Sequence, residues 1–348
     1  MAWLRTVEDR AAAGFDASRL EGMAAVLAGS EHCVLCENAS DGLAMALGIC
    51  GAGSGDKVLC SPLAGRHVRL AVHNVNAVPV YVDINPNSLN IDPYCLDYVL
   101  RKYKREKTAP PSILIATDQF GLPCNYTSLG EICAENGVTL IEDMGTGFGG
   151  KHDGKPMGSF GRFSAASVLD EGESGSDGAV FCRDAGDAEI LRVLQEDNGV
   201  RQMLYGTAET EPGDGEIQGG HLEKRLTEAA DAMQKRRDIA GMYREKLKGH
   251  VRFQETGTAE SAYTHFAVLT PDKTRREAVM AAFVRERIPC TAVGAAYPGE
   301  FDKEGEWARA ILANTKLTSK KLLLLPMHQY LTENVVSYIC DIMIAELG

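Results

Sequence analysis

SILIATDQFGLPCNYTSLGEICAENGVTLIED, Ser112 to Asp143, holds a strand, a helix and a second strand in one run. SILIATD is a short apolar run with no polar alternation, as expected of a strand buried on both faces. YTSLGEICAENG places apolar residues at helical spacing and ends on Gly137, a residue suited to a left-handed helix stop. VTLIED is the next buried strand. Two apolar strands joined through a helix predict a parallel β-α-β unit with helices covering the sheet.

The same alternation extends in both directions. Upstream, HCVLCE, DKVLCS and AVPVYVDI read as strands. SDGLAMALGIC reads as a helix with Ser40 or Asp41 near its start, and DPYCLDYVLRKY as a helix with Asp92 as N-cap. After Asp184 the pattern changes. DAEILRVLQEDNG is one helix, residues 206–220 form a polar loop, and a long helix follows over about 222–247. A strand YTHFAVLTP, a helix RREAVMAAFVRERI and a last helix TENVVSYICDIMIAEL complete the chain. The expected fold class is α/β. A large domain with a mainly parallel central sheet spans 1–235, and a smaller C-terminal α+β domain spans 236–348.

Composition narrows the function classes. The 348 residues are 45% hydrophobic and 24% charged, which suits a globular chain with a sizeable core. The net charge of −12 argues against a nucleic-acid groove, which needs clustered Lys and Arg. No run reaches the roughly 18 apolar residues that cross a bilayer. MAWLRTVEDRAAAGF lacks the apolar core of a signal peptide. Ten cysteines without framework spacing suit a reducing cytoplasm. Cys33-Val-Leu-Cys36 has CxxC spacing but no second pair, so no metal site is expected.

Ligands of parallel sheets sit beyond the carboxyl ends of the strands. Asp118, Asp143 and the loop after Glu37 are at such ends. Asp143, in LIEDMGTGFGG, reads either as a turn aspartate or as the partner of a protonated pyridine nitrogen. NASDGLAMAL leads small residues into a helix start, where free N–H groups favour a phosphate. Ser164, in GSFGRFSAAS, is a candidate hydroxyl donor to the same phosphate.

The order of these blocks resembles the DegT/DnrJ/StrS sugar aminotransferases, pyridoxal-phosphate enzymes of fold type I. The resemblance is carried by GSGDKVLCSP, AVPVYVDINPNSLNIDP, DQFGLPCNYTSL, VTLIEDMGTGFGGKHDGKPMGSFG, EIQ followed by KRRDIAGMYREKL, and LLLLPMHQYLTENVV. It implies a lysine that forms a Schiff base with pyridoxal phosphate and then moves protons. It also implies a homodimer with a nucleotide-sugar ligand.

Carried over, the resemblance places Asp143 at the pyridinium aspartate and Ser164 at the phosphate serine. Ala39 and Ser40 stand at a Gly-Thr pair, and Thr146 stands where glutamine is usual. Arg66 falls where an aromatic residue stacks on the ring, with His67 beside it. The lysine slot aligns with Leu169 or Asp170, and neither forms an imine. After Lys155 the next lysine is Lys224. Lys151 and Lys155 lie in KHDGKPMG, read as a hairpin turn that points away from the site. The partner-chain loop, EPGDGEIQ, lacks its arginine, and VGAAYPGE has alanine at the family's histidine.

These departures define three readings. One is a catalytically degenerate homologue, a pseudoenzyme that keeps the aminotransferase frame. Another is a sugar-modifying enzyme that holds pyridoxal or pyridoxamine phosphate without a covalent bond. The third is a scaffold or regulatory partner of an active paralogue, with no cofactor.

Overall fold

The computed structural model describes residues 16–167, 178–197, 200, 219–293 and 312–348. In chain order the elements begin with α1 (Ala17–Ala28), β1 (His32–Cys36), α2 (Ala39–Ile49), β2 (Lys57–Cys60) and α3 (Arg66–Asn74). Next come β3 (Val78–Tyr81), α4 (Pro93–Glu106), β4 (Ile113–Thr117), α5 (Tyr126–Asn136) and β5 (Thr139–Asp143). The hairpin β6 (Lys151–His152) and β7 (Lys155–Pro156) leads to β8 (Phe163–Ser167), β9 (Gly178–Cys182) and α6 (Ala185–Glu196). The long helix α7 (Gly219–Lys246) is followed by β10 (Arg252–Phe253), β11 (Phe266–Leu269), α8 (Lys273–Arg285) and β12 (Thr291–Ala292). The chain closes with α9 (Ala313–Ser319), β13 (Leu322–Leu325) and α10 (Glu333–Leu347).

Seven strands form the central sheet in the order β1-β9-β8-β5-β4-β2-β3. Only β9 runs against its neighbours. The remaining pairings in the sheet are parallel. Every residue of Ile113–Thr117 is buried, as expected of a strand covered on both faces. One face packs Val34, Ile141, Phe163 and Val180 against α2, α3 and α6. The other packs Leu59, Leu114 and Leu140 against α4 and α5. Parallel strands all end on one edge, so the loops after β1, β2, β4, β5 and β8 converge there.

The caps follow local chemistry. Asp92 accepts from the Tyr94 N–H at 2.8 Å, and Pro93 follows at the first helical position. Gly137 ends α5 with φ 65°. The expected start of α2 shifts by one or two residues. Asn38 is its N-cap, accepting from the Asp41 N–H at 2.9 Å. The Asn38 amide oxygen supplies the cap acceptor, one turn ahead of Asp41.

A second sheet, β10-β11-β13-β12, forms after the long helix. Its strands alternate cleanly. Phe266, Val268, Leu323 and Leu325 pack with α7, α8 and α10, while Ala267, Leu269, Leu322 and Leu324 meet Leu63, Ile84 and Leu89. The division expected near residue 236 falls inside the continuous helix α7. Leu226 packs with the α1 and central-sheet core, and Ile239, Tyr243 and Leu247 pack with the second sheet. Asp83 ties the two parts, accepting from the Thr315 N–H at 2.9 Å and its hydroxyl at 2.6 Å.

Candidate functional site

Asp143 ends β5 and is fully buried. Its Oδ2 accepts from the Thr117 hydroxyl at 2.8 Å, because β4 and β5 pair with Thr117 opposite Asp143. Its Oδ1 accepts from the Gly145 N–H at 3.1 Å. His67 Nε2 lies 3.0 Å from both oxygens. Burial pushes the Asp143 carboxyl up. The His67 charge, the His67 and Thr117 hydrogen bonds and the Gly145 N–H together outweigh burial and hold it below its ordinary value.

His67 reaches Asp143 from the first turn of α3. Gly65 is the N-cap of that helix and offers no side-chain cap bond. A Cβ at position 65 would lie 2.6 Å from His67 Nδ1 and 2.7 Å from its Cε1. The imidazole therefore fills the space that a side chain at 65 would take. Arg66, between them, is exposed. Of the two residues aligned near the stacking position, the structure brings His67 to Asp143 and leaves Arg66 on the surface.

The start of α2 lies on the same edge. Ala39 is buried there. Ser40 Oγ is buried without a hydrogen-bond partner among the described residues. Gly178 on β9 fixes this approach, since a Cβ there would sit 2.3 Å from the Asn38 carbonyl carbon. Thr146 is half-buried in the turn after Asp143.

Ser164 does not join this group. β8 pairs with β5 so that Ser164 lies opposite Glu142 and Ala165 opposite Asp143. Successive strand residues point to opposite faces, so Ser164 faces away from Asp143. Its hydroxyl donates to Glu142 Oε2 at 3.1 Å and to the Gly158 carbonyl at 3.0 Å. The expected phosphate contact at Ser164 is thus corrected by strand register.

The opposite face holds a buried acidic pair, in which Asp118, already placed at a strand end, meets Glu142, which the sequence does not single out. Asp118 Oδ1 accepts from the Cys124 N–H at 2.7 Å and the Tyr126 hydroxyl at 2.8 Å. Glu142 accepts from the Gly158 N–H at 2.7 Å and the Phe160 N–H at 3.1 Å. Burial first, and the Glu142 charge second, push the Asp118 carboxyl well up. Burial also pushes the Glu142 carboxyl up, and the Gly158 and Phe160 N–H donors pull against that push. Both acids stand at strand ends in the sequence, SILIATD and VTLIED, which was the available signal.

Lys151 and Lys155 are exposed on the β6–β7 hairpin. The aligned lysine slot, Leu169 or Asp170, lies outside the described residues, as do EPGDGEIQ and most of VGAAYPGE. Cys33 and Cys36 are buried on β1, and burial above all pushes the Cys33 thiol well up.

Comparison with known proteins agrees with this architecture. The model of the DegT/DnrJ/EryC1/StrS aminotransferase family matches residues 6–344. The UDP-2-acetamido-2-deoxy-3-oxo-D-glucuronate aminotransferase of Pseudomonas aeruginosa is 25% identical over 332 residues, 94% of this chain and 89% of the relative. A solved DegT/DnrJ/EryC1/StrS aminotransferase from Brucella abortus superposes with TM-score 0.81 at 26% identity, covering 98% of this chain and 94% of its own. The aminotransferase TlmJ from Streptoalloteichus hindustanus shares the fold, with TM-score 0.81 at 22% identity and coverage of 98% and 94%.

Such relatives imply pyridoxal or pyridoxamine phosphate. At the phosphate end, the α2 N-terminus and the Ser40 hydroxyl, which has no hydrogen-bond partner among the described residues, could take the phosphate. The ring end is taken, because both oxygens of Asp143 already meet His67. Among the described residues, the ring end does not fit the cofactor.

Proposed function

This chain belongs to the DegT/DnrJ/EryC1/StrS aminotransferase family, and we propose that it is a catalytically degenerate member. The observation that carries this reading is the missing amine. No lysine occurs between Lys155 and Lys224, and Lys151 and Lys155 stand exposed on a hairpin. The lysine of such enzymes is both the covalent anchor and the proton carrier. Leu169 and Asp170 supply neither an imine nor an ammonium group.

The ligand class in this reading is a nucleotide-linked sugar, the kind of substrate named for the Pseudomonas aeruginosa relative. A homodimer belongs to the same reading, supported by the family frame and by Val26, 80% exposed on α1. A reducing compartment is supported by the ten free cysteines. Among the described residues no helix is long and apolar enough to cross a membrane.

The test is a transamination assay. Purified protein is given a nucleotide-linked keto-sugar, pyridoxal phosphate and an amino-acid donor, and amino-sugar is measured. No product above the protein-free rate is expected. Amino-sugar formed in proportion to protein would contradict the reading.

A further inference from the structure

The ring end of the site is filled by an imidazole from within the chain. We infer that His67 stands in for the protonated ring nitrogen that the cofactor would present to Asp143. While His67 holds the carboxylate, the site is closed to the ring of pyridoxal or pyridoxamine phosphate. This deepens the reading of a degenerate aminotransferase and rests on it.

The carboxylate geometry is the first support. Oδ1 meets His67 Nε2 at 3.0 Å and the Gly145 N–H at 3.1 Å. Oδ2 meets His67 Nε2 at 3.0 Å and the Thr117 hydroxyl at 2.8 Å. A carboxylate has about four acceptor directions, and three donors already take them, with His67 Nε2 spanning both oxygens. A pyridinium N–H would have to displace one. Nε2 is the contact such a ring would replace, since it bisects the two oxygens where a single cationic N–H sits best.

The second support is independent of Asp143. The backbone at Gly65 is shaped around the imidazole, because any Cβ there would fall 2.6 Å from Nδ1. Gly65 has φ −60°, an ordinary value for any residue, so its lack of a side chain serves space rather than conformation. A missing side chain and an inserted ring occupy one volume. A fully buried carboxylate also needs donors close by, and here the imidazole on α3 meets both of its oxygens from within the chain.

The experiment is an absorbance titration with pyridoxal phosphate, and separately pyridoxamine phosphate, on the wild-type chain and on His67→Ala. His67→Asn serves as a second variant that keeps a polar side chain, and far-UV circular dichroism confirms folding of each. The wild type is expected to show no saturable shift. His67→Ala is expected to bind at least about tenfold more tightly, a difference of about 1.4 kcal/mol. Asp143→Asn in the His67→Ala background is expected to lose that gain. Saturable non-covalent binding by the wild type would overturn the inference while leaving the degenerate reading intact. So would folded His67→Ala and His67→Asn variants that bind no better than wild type. A shift fixed onto a lysine by borohydride would instead defeat the degenerate reading itself.

Discussion

Gly65 and His67 share one space: a Cβ at position 65 would lie 2.6 Å from Nδ1 of the His67 ring. The Gly65 backbone suits alanine, so the cost of Gly65→Ala falls on His67 alone. A loss of about 1–3 kcal/mol is expected, the usual cost of overpacking. Adding His67→Ala to Gly65→Ala should cost less than His67→Ala costs in the wild type, because the clash is gone. Denaturant midpoints of the four chains check this. Strictly additive effects would mean that the two residues do not compete.

The Asp118–Glu142 pair gives a pH-dependent prediction. The folded-state carboxyl of Asp118 is raised, so the folded chain binds more protons than the unfolded one above the ordinary aspartate value. Its effect on stability is absent below about pH 4 and becomes unfavourable as pH rises toward the folded-state value. Asp118→Asn keeps the acceptor for Cys124 and Tyr126 and offers Glu142 an N–H donor. The variant should therefore be more stable than wild type at neutral pH, on the order of 1 kcal/mol. The gain should vanish near about pH 4. Thermal melts across pH measure it, and a variant less stable than wild type at neutral pH would contradict it.

Returning an amine alone should not restore the enzyme. Leu169→Lys, or Asp170→Lys at the alternative alignment, supplies a lysine while His67 still holds Asp143. Neither single variant should yield a stoichiometric pyridoxyl-lysine after borohydride. The same lysine combined with His67→Ala should yield one. Peptide mass mapping reads the position of the adduct. A full adduct in the single variant would show that His67 does not obstruct the ring.

Most of the fold was legible in the sequence because both signals were local. SILIATD and VTLIED are short apolar runs, and Asp92 and Gly137 punctuate helices by side-chain and backbone chemistry. LLLLP was not recognised as a strand, yet Leu322–Leu325 is β13. A four-residue apolar run carries no period to separate strand from helix. The site was legible only in part. Asp143 and Ser40 were placed on the right edge by the strand-end rule. Ser164 was misread because strand register, not strand identity, decides which face a side chain takes. His67 was named beside Arg66, but which of the two turns inward depends on the space left by Gly65. Thr117, the hydroxyl donor to Asp143, was missed because its role exists only once β4 and β5 pair.

The most direct test of the degenerate site is borohydride reduction of the wild-type chain with pyridoxal phosphate, followed by mass mapping of every lysine. The account predicts that no lysine reaches one-to-one modification, even at saturating pyridoxal phosphate. A single phosphopyridoxyl-lysine at full occupancy, at Lys151, Lys155, Lys224 or elsewhere, would contradict it and return the chain to imine chemistry.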